Sequence, residues 1–204
     1  MRKNKMSVVR IVDDNEEYRN SEAFMLRMFG YNVADYPSAL SFLEEDDPSI
    51  PGCLILDVKM PEMSGIELQQ VMTEKEIRLP VIFLTGHGDV EMAVHTIQKG
   101  ASGFLQKPVA PEKLKEAVAK ALETDLLCRE QELHRQHAKE KYDSLTGREK
   151  EVCELVVKGL LNKQIAIELG ITEHTVKVHR ASIKYKLQVN TPVALVNLLQ
   201  EAQR

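Results

Sequence analysis

Over residues 1–120, short apolar runs alternate with longer stretches of helical spacing. The runs are Val8–Val12, Asn32–Tyr36, Cys53–Asp57, Val81–Thr85 and Gly103–Gln106. Val8–Val12, Leu54–Leu56 and Val81–Leu84 are nearly continuous in Val, Ile and Leu. That is the pattern of parallel strands, which are covered on both faces. Between the runs, the boundaries suit helices. Gly30 follows Phe29, Ser38 precedes Ala39–Glu45, Ser64 precedes Gly65–Glu76, and Asp89 precedes Val90–Lys99, which Gly100 closes. Ser and Asp offer acceptors to the unpaired N–H groups of a first turn, and Gly tolerates the left-handed conformation that ends a helix. Five such units predict an α/β domain built on a doubly wound, five-stranded parallel sheet. The flavodoxin-like order 2-1-3-4-5 is the usual outcome at this size.

From Pro111 to Tyr142 the chain reads as helix, first amphipathic through Leu114, Val118, Ala121 and Leu122, then strongly polar. Leu122, Leu126 and Leu133 leave an apolar seam that fades, with Arg129 and Gln136 where a coiled coil would carry Leu. A solvated linker helix and a short coiled coil that pairs two chains both fit this pattern. Four helical stretches follow, at Gly147–Lys158, Asn162–Leu169, Glu173–Leu187 and Pro192–Ala202, punctuated by Gly159 and Gly170. The expected division is an α/β domain over 7–122, a helical linker over 123–143, and a small all-α domain of four helices over 144–204.

Composition adds little to this division, and charge adds more. The chain is 43% hydrophobic and 28% charged, within the globular range. No apolar run approaches the roughly 18 residues that span a bilayer, so no membrane association is expected. The basic start, Met1–Met6, leads into a run broken by Arg10 and too short for a secretory signal, so a cytoplasmic protein is expected. Cys53, Cys128 and Cys153 are far apart, odd in number and form no Cys-x-x-Cys, which suggests neither a disulfide framework nor a zinc site but three reduced thiols packed as small hydrophobes. Residues 1–120 hold 14 Lys/Arg against 19 Asp/Glu, whereas residues 145–204 hold 9 against 6. An acidic front and a basic tail place any nucleic-acid partner at the C-terminal end.

Candidate chemistry lies at the strand ends. Asp13 and Asp14 follow the first strand, Asp57 ends the third, Thr85 ends the fourth, and Lys107 follows the fifth. The carboxyl ends of strands in an open parallel sheet converge on one crevice. Singly, an Asp pair is a turn or cap and a lone Lys sits in water. Turn chemistry gives no reason for all five at matching ends. Crowded carboxylates raise one another's pKa unless a cation neutralises them, and Mg²⁺ suits a site of one or two carboxylates completed by water and phosphate. Asp57 can then act as a carboxylate nucleophile on a phosphoryl donor. Lys107 would neutralise the transferred group and Thr85 would donate a hydrogen bond to it.

The residues that carry this chemistry sit in a recognisable frame. Ile11-Val12-Asp13-Asp14-Asn15, Leu56-Asp57-Val58-Lys59-Met60-Pro61-Glu62-Met63-Ser64-Gly65, Leu84-Thr85-Gly86-His87-Gly88 and Phe104-Leu105-Gln106-Lys107-Pro108 resemble the receiver domain of response regulators. The resemblance implies that Asp57 takes a phosphoryl group from a sensor histidine kinase. It also implies that Asp14, Asp57 and the backbone carbonyl of Lys59 ligate Mg²⁺, with Asp13 helping through water. Thr85 and Phe104 are implied as a coupled switch, and the Lys107–Pro108 bond as cis. Phe104 lacks the hydroxyl of the Tyr common at that place. Lys59 and His87 occupy two positions that tune the lifetime of the phosphoryl group.

Residues 162–187 read as helix, a turn at Gly170, and a second helix opening at Thr172. Ile165, Ala166, Leu169, Ile171, Val176 and Ile183 supply the face on which the two would pack. Lys177, Arg180 and Lys184 recur at spacings of three and four, so they share a face of the second helix. Leu145-Thr146-Gly147-Arg148-Glu149, Gly159, Asn162-Lys163, Ile165-Ala166, Leu169, Thr175-Val176-Lys177-Val178-His179 and Lys186-Leu187 resemble the LuxR-type helix-turn-helix. By that resemblance Lys177, Val178 and Ala181 match positions that contact bases. Thr172, Thr175, His179 and Lys163 match positions that touch the DNA backbone. Ala181 has no polar side-chain atom, so it reads a thymine methyl or permits close approach. Pro192–Ala202 matches the element through which such domains pair on DNA.

Together the halves resemble the FixJ/NarL transcription factors, and Thr85-Gly86-His87-Gly88-Asp89 leans toward FixJ. This implies a two-component regulator, not an enzyme. Its expected partners are a sensor histidine kinase, double-stranded DNA and a second copy of the chain, with room for RNA polymerase. Phosphorylation would shift the receiver toward a conformation that dimerises near Val90–Ala121 and frees or aligns the DNA-binding domains. Two other readings compete. A phosphatase working through an aspartyl-phosphate would need Asp-x-Asp after the strand, where the chain has Asp57-Val58-Lys59. A phosphorylation-independent DNA binder with a vestigial receiver would not need the intact Asp13, Asp14, Asp57, Thr85 and Lys107.

Overall fold

The computed structural model describes residues 7–86 and 102–202. The chain divides into two compact units, Met1–Cys128 and Arg129–Arg204. Among the described residues, no helix is long and apolar enough to cross a membrane.

The first unit is a five-stranded parallel sheet. Its strands are β1 (Val8–Val12), β2 (Asn32–Tyr36), β3 (Gly52–Asp57), β4 (Val81–Thr85) and β5 (Gly103–Gln106). Their order is β2-β1-β3-β4-β5, the doubly wound order expected from the alternation. Every residue of β3 and β4 is buried, which accounts for their unbroken apolar sequences. The covering helices begin at side-chain caps, of which Ser38 and Ser64 are expected from the sequence and Asn15 is not. Asn15 accepts from the backbone N–H groups of Glu17 and Tyr18 to open α1 (Glu16–Met28). Ser38 opens α2 (Ala39–Glu45), and Ser64 opens α3 (Gly65–Glu74) by a reciprocal box with Glu67. The helix expected over Val90–Lys99 lies outside the described residues, as does His87.

Two apolar clusters line the faces of the sheet. Val9, Ile11, Cys53, Ile55, Ile82 and Leu84 pack with Ala23 and Leu26 of α1 and with Leu114, Val118, Ala121 and Leu122. Val12, Leu54, Leu56, Val81 and Phe83 pack with Phe42, Leu68 and Met72 on the other side. Successive strand residues alternate between these clusters, as the pleat requires. The last four residues of the first cluster belong to α4, which runs continuously from Pro111 to Asp143. Asp125 lies inside the stretch expected as linker, yet it is buried and accepts the Gly52 backbone N–H at 2.8 Å.

The second unit contains α5 (Gly147–Val157), α6 (Asn162–Leu169), α7 (Glu173–Leu187) and α8 (Pro192–Ala202). Val152, Cys153, Ile165, Val176, Ile183, Leu187, Leu195 and Leu199 form its core. Gly170 ends α6 at φ 63°, the left-handed turn that carries the chain into α7. Thr172 then caps α7, accepting the Thr175 N–H at 3.1 Å.

Candidate functional site

The ends of β1 and β3 bring two carboxylates onto one ammonium. Lys107 Nζ lies 2.5 Å from Asp13 Oδ2 and 2.6 Å from Asp57 Oδ1, although Lys107 is 94 residues from Asp13 in sequence. Thr85, buried at the end of β4, accepts the Lys107 backbone N–H at 2.7 Å, so the β4 end fixes where the lysine emerges. The Lys107–Pro108 peptide is cis. Asp57 Oδ2 accepts the Lys59 backbone N–H at 2.9 Å. Asp13 Oδ1 accepts the Asn15 N–H at 2.9 Å, and the Asp13 carbonyl accepts from Arg19. Asp14 is exposed. Phe104 is half-buried on β5, against the cluster that contains Phe83.

Burial sets the electrostatics. It pushes the Asp57 carboxyl above its ordinary pKa, and Asp13 pushes the same way; Lys107 and the Lys59 N–H pull it back. Burial opposes the charge on Lys107, but hydrogen bonds to Asp13 and Asp57 hold its pKa above the ordinary value. Two buried carboxylates therefore share one cation, and their donors are hard oxygens. Those donors fit Mg²⁺, which takes one or two carboxylates and completes its shell with water and phosphate oxygens.

Three residues near this site were not singled out from sequence. The Tyr18 ring lies 5.0 Å from Lys107 Nζ, within cation–π range. Arg19 holds the Asp13 backbone. Glu22 is buried on α1, its Oε2 has no hydrogen-bond partner among the described residues, and its pKa rises to about 7. Burial is the main cause; Lys107 opposes the rise, and Asp13 and Asp57 add to it. The available signal was helical spacing: Glu22 stands one turn before Leu26 on the face that packs on the sheet.

In the second unit, Lys177, Val178, Ala181 and Lys184 are exposed on α7, and Lys163 is exposed on α6. Lys177 pairs with Glu173 at 3.6 Å. The Thr172 and Thr175 hydroxyls lie 2.8 Å apart at the N-terminus of α7, and His179 is half-buried. Arg180 stands at the edge of the cationic face and turns away to donate to Asn162 Oδ1 at 3.0 Å. Spacing placed it with Lys177 and Lys184, but spacing does not register the acceptor that α6 offers.

Residues 9–119 match the response regulator receiver domain, and residues 143–199 match the bacterial regulatory proteins of the luxR family. The chain belongs to the response regulators with a LuxR-type DNA-binding domain. It is 41% identical over 194 residues to the response regulator protein TodT of Pseudomonas putida, covering 95% of this chain and 86% of that one. It is 38% identical over 190 residues to the transcriptional regulatory protein FixJ of Rhizobium meliloti, covering 93% of each. The solved structure of the response regulator StyR matches with a TM-score of 0.86 and 41% identity, over 96% of this chain and 99% of that one. This response regulator is a two-component, DNA-binding transcription regulator. Its receiver implies a histidine kinase partner and its helix-turn-helix implies DNA.

Proposed function

We propose that Asp57 is the phosphoacceptor of this regulator and that its phosphorylation controls DNA binding by α6 and α7. The contact of Lys107 Nζ with both Asp13 and Asp57 carries this reading. A buried carboxylate hydrogen-bonded to a cation that can take up further negative charge is built to accept a phosphoryl group. The Asp57 oxygen forms a bond to phosphorus as the phosphorus–nitrogen bond of a kinase phosphohistidine breaks, and with a proton on its other ring nitrogen the imidazole leaves neutral. Lys107 neutralises charge on the transferred group, and Thr85, buried at the adjacent strand end, donates to one of its oxygens. Asp14, Asp57 and the Lys59 carbonyl, with Asp13 through water, would hold Mg²⁺. Bound there, the ion supplies charge neutralisation to the carboxylates and the incoming phosphoryl group.

The switch proceeds through Thr85 and Phe104, which lie on the neighbouring strands β4 and β5. It shifts the chain toward a homodimer that places two helix-turn-helix units on two half-sites. Of the pairing face near Val90–Ala121, residues 90–101 lie outside the described residues. Lys177, Val178 and Ala181 meet bases. Lys163, Thr172, Thr175, His179 and Lys184 meet the DNA backbone, and Arg180 joins that set if it releases Asn162. The protein acts in the cytoplasm as a switch and not as a turnover catalyst, with RNA polymerase as a further partner.

The test is DNA binding against protein concentration, with and without beryllofluoride and Mg²⁺, for wild type and Asp57→Ala. Beryllofluoride stands in for the phosphoryl group. Tightening in wild type alone is expected. Equal binding by both proteins under every condition would show that Asp57 is not the switch.

A further inference from the structure

Helix α7 carries an exposed aromatic that none of the roles above uses. Tyr185 is 86% exposed, the most exposed large apolar side chain among the described residues. Its place on the helix is specific. His174, Val178, Ala181 and Tyr185 follow one another at spacings of 4, 3 and 4 along α7. At about 100° per residue they fall within roughly 60° of arc and form one straight stripe. All four are exposed, and the buried Val176, Ile183 and Leu187 lie on the opposite side. Lys177 and Lys184 run alongside the stripe, so it is apolar along its middle and cationic along one edge. Leu161, Ile167 and Val193 are also exposed, but they lie outside α7.

A stripe of this kind fits a DNA groove. Val178 and Ala181 present only hydrocarbon, which suits thymine methyls at the groove floor. Tyr185 lies seven residues beyond Val178, about 10 Å further along the axis. The major groove is about 12 Å wide, so a helix whose N-terminal half meets bases brings that position to the phosphate wall. Tyrosine suits a wall, because its ring packs on apolar sugar surface while its hydroxyl donates to a phosphate oxygen.

We propose that Tyr185 is a DNA contact, with its ring against a deoxyribose and its hydroxyl on a phosphate at the edge of the groove that α7 enters. The assignment rests on the reading of α7 as the helix that meets bases. Lys184, beside it, supplies charge to the same wall; Tyr185 supplies a neutral hydrogen bond and contact area.

The test uses the full chain and a duplex selected from random sequence by the wild-type protein, with beryllofluoride and Mg²⁺ present throughout. Tyr185→Ala is expected to weaken binding about 10-fold and Tyr185→Phe about 5-fold. Neither change alters the dependence of affinity on salt, whereas Lys184→Ala reduces that slope by about 1. Wild-type affinity for Tyr185→Ala, with binding lost in Lys177→Ala, overturns the proposal and leaves α7 as the recognition helix. Wild-type affinity for both variants overturns the reading of α7 itself, and Tyr185 falls with it.

Discussion

A β-carbon on Gly65 would stand 2.2 Å from the carbonyl oxygen of Asp57 and 2.9 Å from Leu56 Cγ. The first residue of α3 is therefore packed directly on the strand end that presents Asp57, and its N–H donates to the Val58 carbonyl at 3.1 Å. No L side chain fits there unless the helix or the strand end moves. Gly65→Ala is expected to lower receiver stability by about 2 kcal/mol. It should also slow phosphorylation by acetyl phosphate, because Asp57 shifts relative to Lys107. Labelling kinetics and a thermal melt check this, and wild-type values in both would show that the contact is slack.

Much of this arrangement is legible in the sequence because it depends on local rules. Strand ends follow from apolar runs that stop, and helix starts follow from Ser38, Ser64 and Thr172, which cap in place. The convergence of Asp13, Asp57 and Lys107 follows from parallel topology. Pairings that cross elements are not legible. Arg10 reads as an interruption of the first apolar run, yet its guanidinium is buried and donates to Asp46 and to the carbonyls of Val8, Asp47 and Ile50. Asp125 reads as one more acid in a polar helix, and it is buried against Gly52. Periodicity reports which face a residue occupies and contains nothing about a partner 36 or 73 residues away.

Glu22 makes the stability of the receiver depend on pH in an unusual direction. Its pKa is about 7 in the folded chain against 4.5 for the free carboxyl, chiefly because burial disfavours the charge. The folded state thus holds a proton that the unfolded chain releases, and stability falls as pH rises from about 4.5 through 7. The full loss is on the order of 3 kcal/mol. Glu22→Gln has no charge to release. It is expected to match wild type near pH 5 and to melt higher than wild type at pH 8. A gap between the two melting curves that stays constant across this range would show that Glu22 is not the titrating group.

Glu149 should act with the opposite sign in the DNA-binding unit. It is buried at the start of α5 and completes the capping box of Thr146. One oxygen accepts the Ser182 hydroxyl at 2.6 Å, and the other accepts the Lys186 ammonium at 2.7 Å. Both donors lie on α7, so one carboxylate fixes the first helix of the domain to the helix assigned to DNA. Burial pushes its pKa up, but Lys186, Ser182 and Thr146 outweigh burial and bring it to about 2. The stabilisation is complete above about pH 4.5 and is lost as pH falls toward 2. Glu149→Ala removes the link and leaves the Thr146 N–H without its acceptor. It is expected to destabilise this unit by about 2 kcal/mol at pH 7 and by progressively less below pH 4. DNA affinity should fall as well, because α7 loses its tether to α5. Thermal melts at pH 7 and pH 3 decide the matter. A penalty that does not shrink on acidification would assign the effect of Glu149 to packing and not to its charge.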